Sequence, residues 1–288
     1  METWILYALA SAFIGGFYAF SFKVIAQRNY DTYLSTIYSY GIATILSWLL
    51  LIYSGNIPEI GTVFFLVGFM GFINIFFYST SILTRVESMR NIDSVIFFPL
   101  YKTFWPIMVT TVSVFIFQEH LSWREIMGII FGILVPLMLL TKSENHIQKN
   151  LWKGVIFVVI TSILTSISSI IPKFIHVWNY DIELFIFTSF LFGMMFSVVG
   201  YLFHSKKSDK KYRTHQIAPF SMVVGMIHFL AFYTFMRAIS GNLAIAFTIN
   251  SFSILVPIIL SIIFYGEHFN LKKGIVIGLS IISILLFL

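Results

Sequence analysis

The sequence predicts an all-α integral membrane protein: ten transmembrane helices as two inverted five-helix repeats. Three observations carry that expectation. The 288 residues are 58% hydrophobic and only 10% charged, whereas a soluble domain carries about 25% charged residues. Ten apolar segments can be marked near 3–23, 32–53, 60–84, 91–118, 122–141, 150–173, 183–204, 217–238, 241–265 and 270–288, each close to the ~20 residues that cross a hydrocarbon core. A short motif also recurs in register. Phe117-Gln118-Glu119-His120-Leu121 returns 148 residues later as Tyr265-Gly266-Glu267-His268-Phe269.

The first segment follows Met-Glu-Thr-Trp, with no Lys or Arg ahead of it. A cleaved signal peptide starts with a basic stretch, so this segment is read as a spanning helix. Irregular backbone cannot face lipid, and the segments are too long and alternate too weakly for barrel strands. They are therefore helices. The connections are short and several carry breakers: Ser54-Gly55-Asn56-Ile57-Pro58, Asn179-Tyr180-Asp181 and Ser240-Gly241-Asn242. The longest polar stretch, 204–215, holds Lys206, Lys207, Lys210, Lys211 and Arg213.

The same offset carries Trp4 onto Trp152, and with two residues of slip Lys23 onto Lys173. The halves are then 1–141 and 150–288, and an odd helix count in each turns the second copy over. Repeats of this kind usually hold a solute site at their interface near midplane. The charges fit the inversion. Fourteen Lys and Arg, Lys23, Arg28, Arg85 and Arg90 among them, fall on one side, against Arg124, Lys173 and Arg237 on the other. By the positive-inside rule the richer side is cytoplasmic, which puts both termini outside a cytoplasmic (inner) membrane.

Composition also excludes classes of function. The net charge of +6 comes from loops, not from an interleaved basic face, so no nucleic-acid partner is expected. The absence of cysteine removes disulfide, thiolate-metal and cysteine-nucleophile chemistry. Neither a Gly-x-Ser-x-Gly elbow nor a His-Glu-x-x-His site occurs. No catalytic residue, metal or cofactor is expected, and the chain is not read as an enzyme.

Within segment 91–118, Lys102 lies between Pro99 and Pro106. Counted from Asp93 it is about 9 residues in, roughly 13 Å deep at 1.5 Å per residue. A lysine stem snorkels only part of that way, so the amine needs a cavity or a partner. No acid sits at its depth. The 148 offset sets Asn250 opposite it, as a solute contact or as a polar tie between helices. His228 and Asn74 hold comparable depths, for solute binding or for packing; His228 is also a candidate proton relay. Tyr101, Trp105, Tyr78 and Tyr233 are candidate walls for stacking on a solute, although among 33 Phe a single aromatic more often packs or faces lipid. Lys23 and Lys173 read as headgroup anchors or as gating residues. Pro99, Pro106 and Pro257 are expected to kink their helices and free carbonyls towards the cavity.

Two five-helix halves, each closing its first helix with Lys (Lys23, Lys173) and following its fourth with Gln118-Glu119 or Gly266-Glu267, resemble the drug/metabolite transporter superfamily, EamA type. The family's proline ahead of that Glu matches Pro106. In the second half Ile254 takes that place and proline is displaced to Pro257, a departure from the pattern. The resemblance covers nearly the whole chain. It implies a ten-helix carrier of small organic solutes with a central cavity between two inverted bundles.

The expected function is secondary transport, by alternating access, of a small organic metabolite bearing an anionic or zwitterionic group. Lys102 would bind that group, with membrane lipids as surroundings and the coupling ion open. One alternative is an exporter of hydrophobic or cationic compounds using the aromatic walls. Another, of a different class, is a membrane enzyme or lipid-handling protein.

Overall fold

The apolar runs form α1 (Thr3–Gln27), α2 (Thr32–Tyr53), α3 (Thr62–Asn91), α4 (Ser94–Ile116), α5 (Trp123–Met138), α6 (Leu151–Val177), α7 (Ile182–Ser205), α8 (Thr214–Ala238) and α9 (Leu243–Ser251). The computed structural model describes residues 2–55, 61–92, 94–138, 150–205 and 214–257, with scattered positions from 259 to 286. Among these residues all regular structure is helical. Most of the expected helix at 270–288, the second motif copy at 265–269, Asp93 and the basic stretch 206–213 lie outside the described residues.

One corner is built twice. Asn29 and Asn179 both take left-handed backbone, at φ 51° and 54°, which Asn tolerates better than most residues. The Tyr30 amide donates back to the Ile25 carbonyl at 3.0 Å, and Tyr180 to Ile175 at 2.9 Å. Asp31 then caps α2 through the Leu34 amide at 2.8 Å, as Asp181 caps α7 through Leu184 at 2.7 Å. The α1–α2 and α6–α7 turns are one device used in both halves.

Two helices depart from the sequence expectation. α3 continues to Asn91, past the expected end at 84. The apolar run stops there, but nothing in Arg85-Val86-Glu87-Ser88-Met89-Arg90 breaks a helix, and Glu87 pairs with Arg90 one turn on at 3.6 Å. Arg85 is therefore a helix-interior residue and not a loop cation. The expected helix 241–265 is interrupted: α9 ends at Ser251 and a 3-10 turn, Phe252–Ile254, follows. Pro257 lacks an amide hydrogen and its ring crowds the carbonyl four residues back, Ser253. Gly16 on α1 lets the two segments close at this break. A Cβ there would lie 2.7 Å from the Ser253 carbonyl oxygen.

α1 packs on α8 as α6 packs on α3; α2 packs on α7; α4 packs on α6 as α9 packs on α1; α4 also meets α9. Exchanging the halves maps this set of pairings onto itself. Tyr40, Phe97, Phe185, Phe190 and Phe247 are fully buried inside, while Phe13, Phe65 and Phe69 point outwards. An outer surface of bare Phe suits acyl chains rather than water. Among the described residues six helices, α1, α2, α3, α6, α7 and α8, are long and apolar enough to cross a membrane. The apolar stretches Leu100–Ile116 and Leu243–Pro257 are shorter. The chain is a multi-pass membrane protein.

Candidate functional site

Helical spacing builds the centre of α4. Phe97, Tyr101 and Trp105, four apart, stack as a ladder with centroids 5.6 and 5.5 Å apart and planes within 14° and 15°. Lys102 follows Tyr101 on the chain. Its amine lies 4.6 Å from the Trp105 ring centroid and 5.7 Å from that of Tyr101. It reaches across to the second half, donating at 3.4 Å to the Asn250 carbonyl and at 3.5 Å to its side-chain oxygen. Asn250 sits just ahead of the 3-10 turn. Its amide donates to Ser11 of α1 at 3.0 Å, and the Trp105 indole donates to Ser169 of α6 at 3.1 Å.

These groups line one cavity of about 100 Å³, walled by α1, α3, α4, α6, α8, α9 and the 3-10 turn. Of the expected residues, Lys102, Asn250, His228, Trp105, Tyr101, Asn74 and Tyr78 all border it. Tyr233 does not. It packs on Phe229 with the Arg237 guanidinium 5.4 Å above its ring, because on α8 the cavity face runs through His228, Ala231 and Phe235. Asn74 commits its amide to Ser168, at 2.7 Å to the carbonyl and 3.1 Å to the hydroxyl. His228 is stacked on Tyr18 at 4.1 Å and 13°, and its Nδ1 has no hydrogen-bond partner.

Arg85 was missed. It is 5% exposed, borders the cavity and donates to the Tyr101 hydroxyl at 2.8 Å. Its guanidinium lies between rings, 4.9 Å from Phe22 and 4.7 Å from Tyr101. The signal was present: Asn74, Tyr78 and Arg85 lie on one face at intervals of four and seven. Ending the helix with the apolar run hid it. Ser11, Tyr18, Thr165 and Ser253 also border the cavity, but isolated Ser and Thr in apolar helices carry no individual signal.

Away from the cavity, Glu119 joins the two halves. Glu119 pairs with Lys173 at 3.0 Å, accepts from the Leu243 amide at 2.9 and 3.0 Å and from Ala244 at 3.2 Å, and takes the Ser113 hydroxyl at 2.5 Å. Lys173 also donates to the carbonyls of Gly241, at 2.6 Å, and Ile239, at 3.3 Å. It is an internal tie and not a headgroup anchor. Lys23 is equally buried. A carboxylate at the N-terminus of α9 is well placed for the helix dipole and its free amides. Among the described residues no group of three His, Cys, Asp or Glu could hold a metal.

Residues 2–141 and again 152–288 match the EamA-like transporter family. The chain belongs to this family. Its members are membrane transporters, so this EamA-like protein works on a small-molecule solute in a lipid setting. No curated protein matches it individually. A solved structure titled only "Crystal structure of protein" superposes with a TM-score of 0.75 over 99% of this chain and 98% of its own, at 12% identity. Likeness at that identity shows the fold alone.

Proposed function

We propose that this EamA-like protein is a secondary carrier for a small organic anion or zwitterion. Alternating access would come from two inverted halves, 1–141 and 150–288, rocking about the central cavity. The exchange symmetry of the helix pairings and the twice-used Asn-Tyr-Asp corner support this arrangement. Lys102 carries the solute assignment. Its ammonium is buried on a cavity whose described lining holds no Asp or Glu, and its bonds to Asn250 are long. An unneutralised buried cation is costly, and a solute carboxylate or phosphate would shorten those contacts and remove the cost.

Tyr101 and Trp105 form the wall beside that group, and Asn250, Tyr78 and His228 contact the remainder. Asn74, already bonded to Ser168, ties α3 to α6. Two cations on the lining disfavour a cationic cargo. With Arg85 moved out of the loops, the remaining loop cations still favour the same side, so the termini are assigned to the outside of the cytoplasmic membrane.

The test is uptake into proteoliposomes reconstituted with the wild type and Lys102→Gln, driven by solute gradients alone. The variant should lose transport of any anionic solute the wild type carries. Unchanged transport would remove Lys102 from the mechanism.

A further inference from the structure

We infer that the solute of this cavity is a dianion, its two negative groups borne at opposite ends of a short spacer and taken separately by Lys102 and Arg85. The inference rests on the anionic-solute reading above and goes beyond it in naming Arg85 and the number of charges.

The two cations share one aromatic ring. Arg85 lies 4.7 Å from the Tyr101 centroid and Lys102 lies 5.7 Å from it. Their charges are therefore separated by no more than the sum of those distances, within the span of one small molecule. They come from different helices, α3 and α4, and both are 5% exposed. The described lining offers no carboxylate to either. A monoanion would leave one buried positive charge uncompensated, whereas a dianion neutralises both in a medium where charge imbalance is expensive.

Unpartnered atoms point the same way. Buried polar atoms normally have hydrogen-bond partners. Among the described residues those without one include Arg85 Nε, His228 Nδ1 and Ser253 Oγ, and all three residues line this cavity. Arg85 and His228 both stand beside Tyr78, and Ser253 follows by three residues Asn250, which receives Lys102. The guanidinium already gives Nη2 to Tyr101, which leaves its Nε edge for a carboxylate. Size limits the spacer. The cavity is small, about 100 Å³, which favours short dicarboxylates such as succinate and glutarate over long ones.

The test uses purified full-length protein in detergent and paired probes at equal ionic strength, succinate against butyrate and glutarate against pentanoate, read by thermal shift across concentration. For the wild type, the dicarboxylate of each pair should bind at least about tenfold more tightly, the factor that follows from about 1.4 kcal/mol of one extra ionic contact. Arg85→Gln should lose this preference and bind both members of a pair alike. Arg85→Lys, which keeps the charge without the planar fork, should retain part of it. Equal binding of di- and monocarboxylates by the wild type, or a dicarboxylate preference surviving in a monodisperse Arg85→Gln protein, overturns the two-charge inference and leaves the anionic reading standing. Absence of a shift with every carboxylate, with inorganic phosphate and with the zwitterion alanine overturns both.

Discussion

Replacing Glu119 by Gln tests whether the end tie holds the halves together. Both partners of the Glu119–Lys173 pair are only 11% exposed, so little of the interaction is screened by solvent. Removing one member of a buried pair costs about 3–5 kcal/mol, because the other charge is left behind. Gln keeps an oxygen for the Leu243 amide, and the Gly241 and Ile239 carbonyls still receive Lys173. These retained contacts place the expected loss at the lower end, about 3 kcal/mol. At ~2–4 °C per kcal/mol for a chain approaching this size, that is a fall in Tm of roughly 6–12 °C. Fluorescence-detected melting in detergent reads it directly. The double variant Glu119→Gln/Lys173→Met removes both charges and should recover most of the loss, since coupled partners are non-additive. A single-variant shift below about 2 °C, or a double variant whose loss equals the sum of the singles, would show that the pair does not tie the halves.

Neighbouring glycines on α1 give opposite expectations. A Cβ on Gly16 would meet Val256 Cβ at 2.4 Å, while Gly15 has nothing within 4 Å. Gly16→Ala should cost about 1–3 kcal/mol through overpacking, whereas Gly15→Ala should be neutral or gain up to ~1 kcal/mol of helix propensity; melting curves compare the two. Asn74→Leu removes the bond to Ser168. It should lower stability by about 1 kcal/mol, the usual scale of interhelical membrane bonds, and leave the KM for the solute unchanged. A raised KM with intact stability would return Asn74 to the solute site.

What could be read from the sequence depended on how each residue announces itself. Lys102 stood out because a charge inside an apolar run has no cheap explanation, and Asn250 followed from the repeat offset alone. That pair does meet across the two halves, with the Asn250 carbonyl and side chain both facing the amine. Arg85 failed the same test for a physical reason. It lies where the apolar run gives way to polar residues, and hydropathy cannot distinguish a helix that leaves the membrane from one that ends. Its burial comes from Phe22 and Tyr101 on other helices, which is tertiary information. Tyr233 failed in the opposite direction: it sits at a plausible depth, but one step of helical rotation carries it away from His228 to the Arg237 side. Depth is written in the sequence of a membrane helix, whereas the inward face must be supplied by its neighbours.

The Glu119–Lys173 tie and the Lys102–Asn250 contact differ in a way that bears on the proposed rocking of the halves. Both join the first half to the second, yet the end tie is dense: a short ion pair and three contacts from two backbone amides converge on Glu119 at one helix terminus, and Lys173 is held in place within its own half by two carbonyls. The central contact is sparse, with both bonds at the outer limit of hydrogen-bonding distance. If the halves separate at the tied end, a strong and local set of bonds must break there at once, which makes the transition two-state rather than gradual. The weak central contact can instead be exchanged for a ligand without such a penalty. A solute that gains more at Lys102 in one arrangement than in the other would then shift the balance by that difference alone, and tight binding that is equal in both would shift nothing.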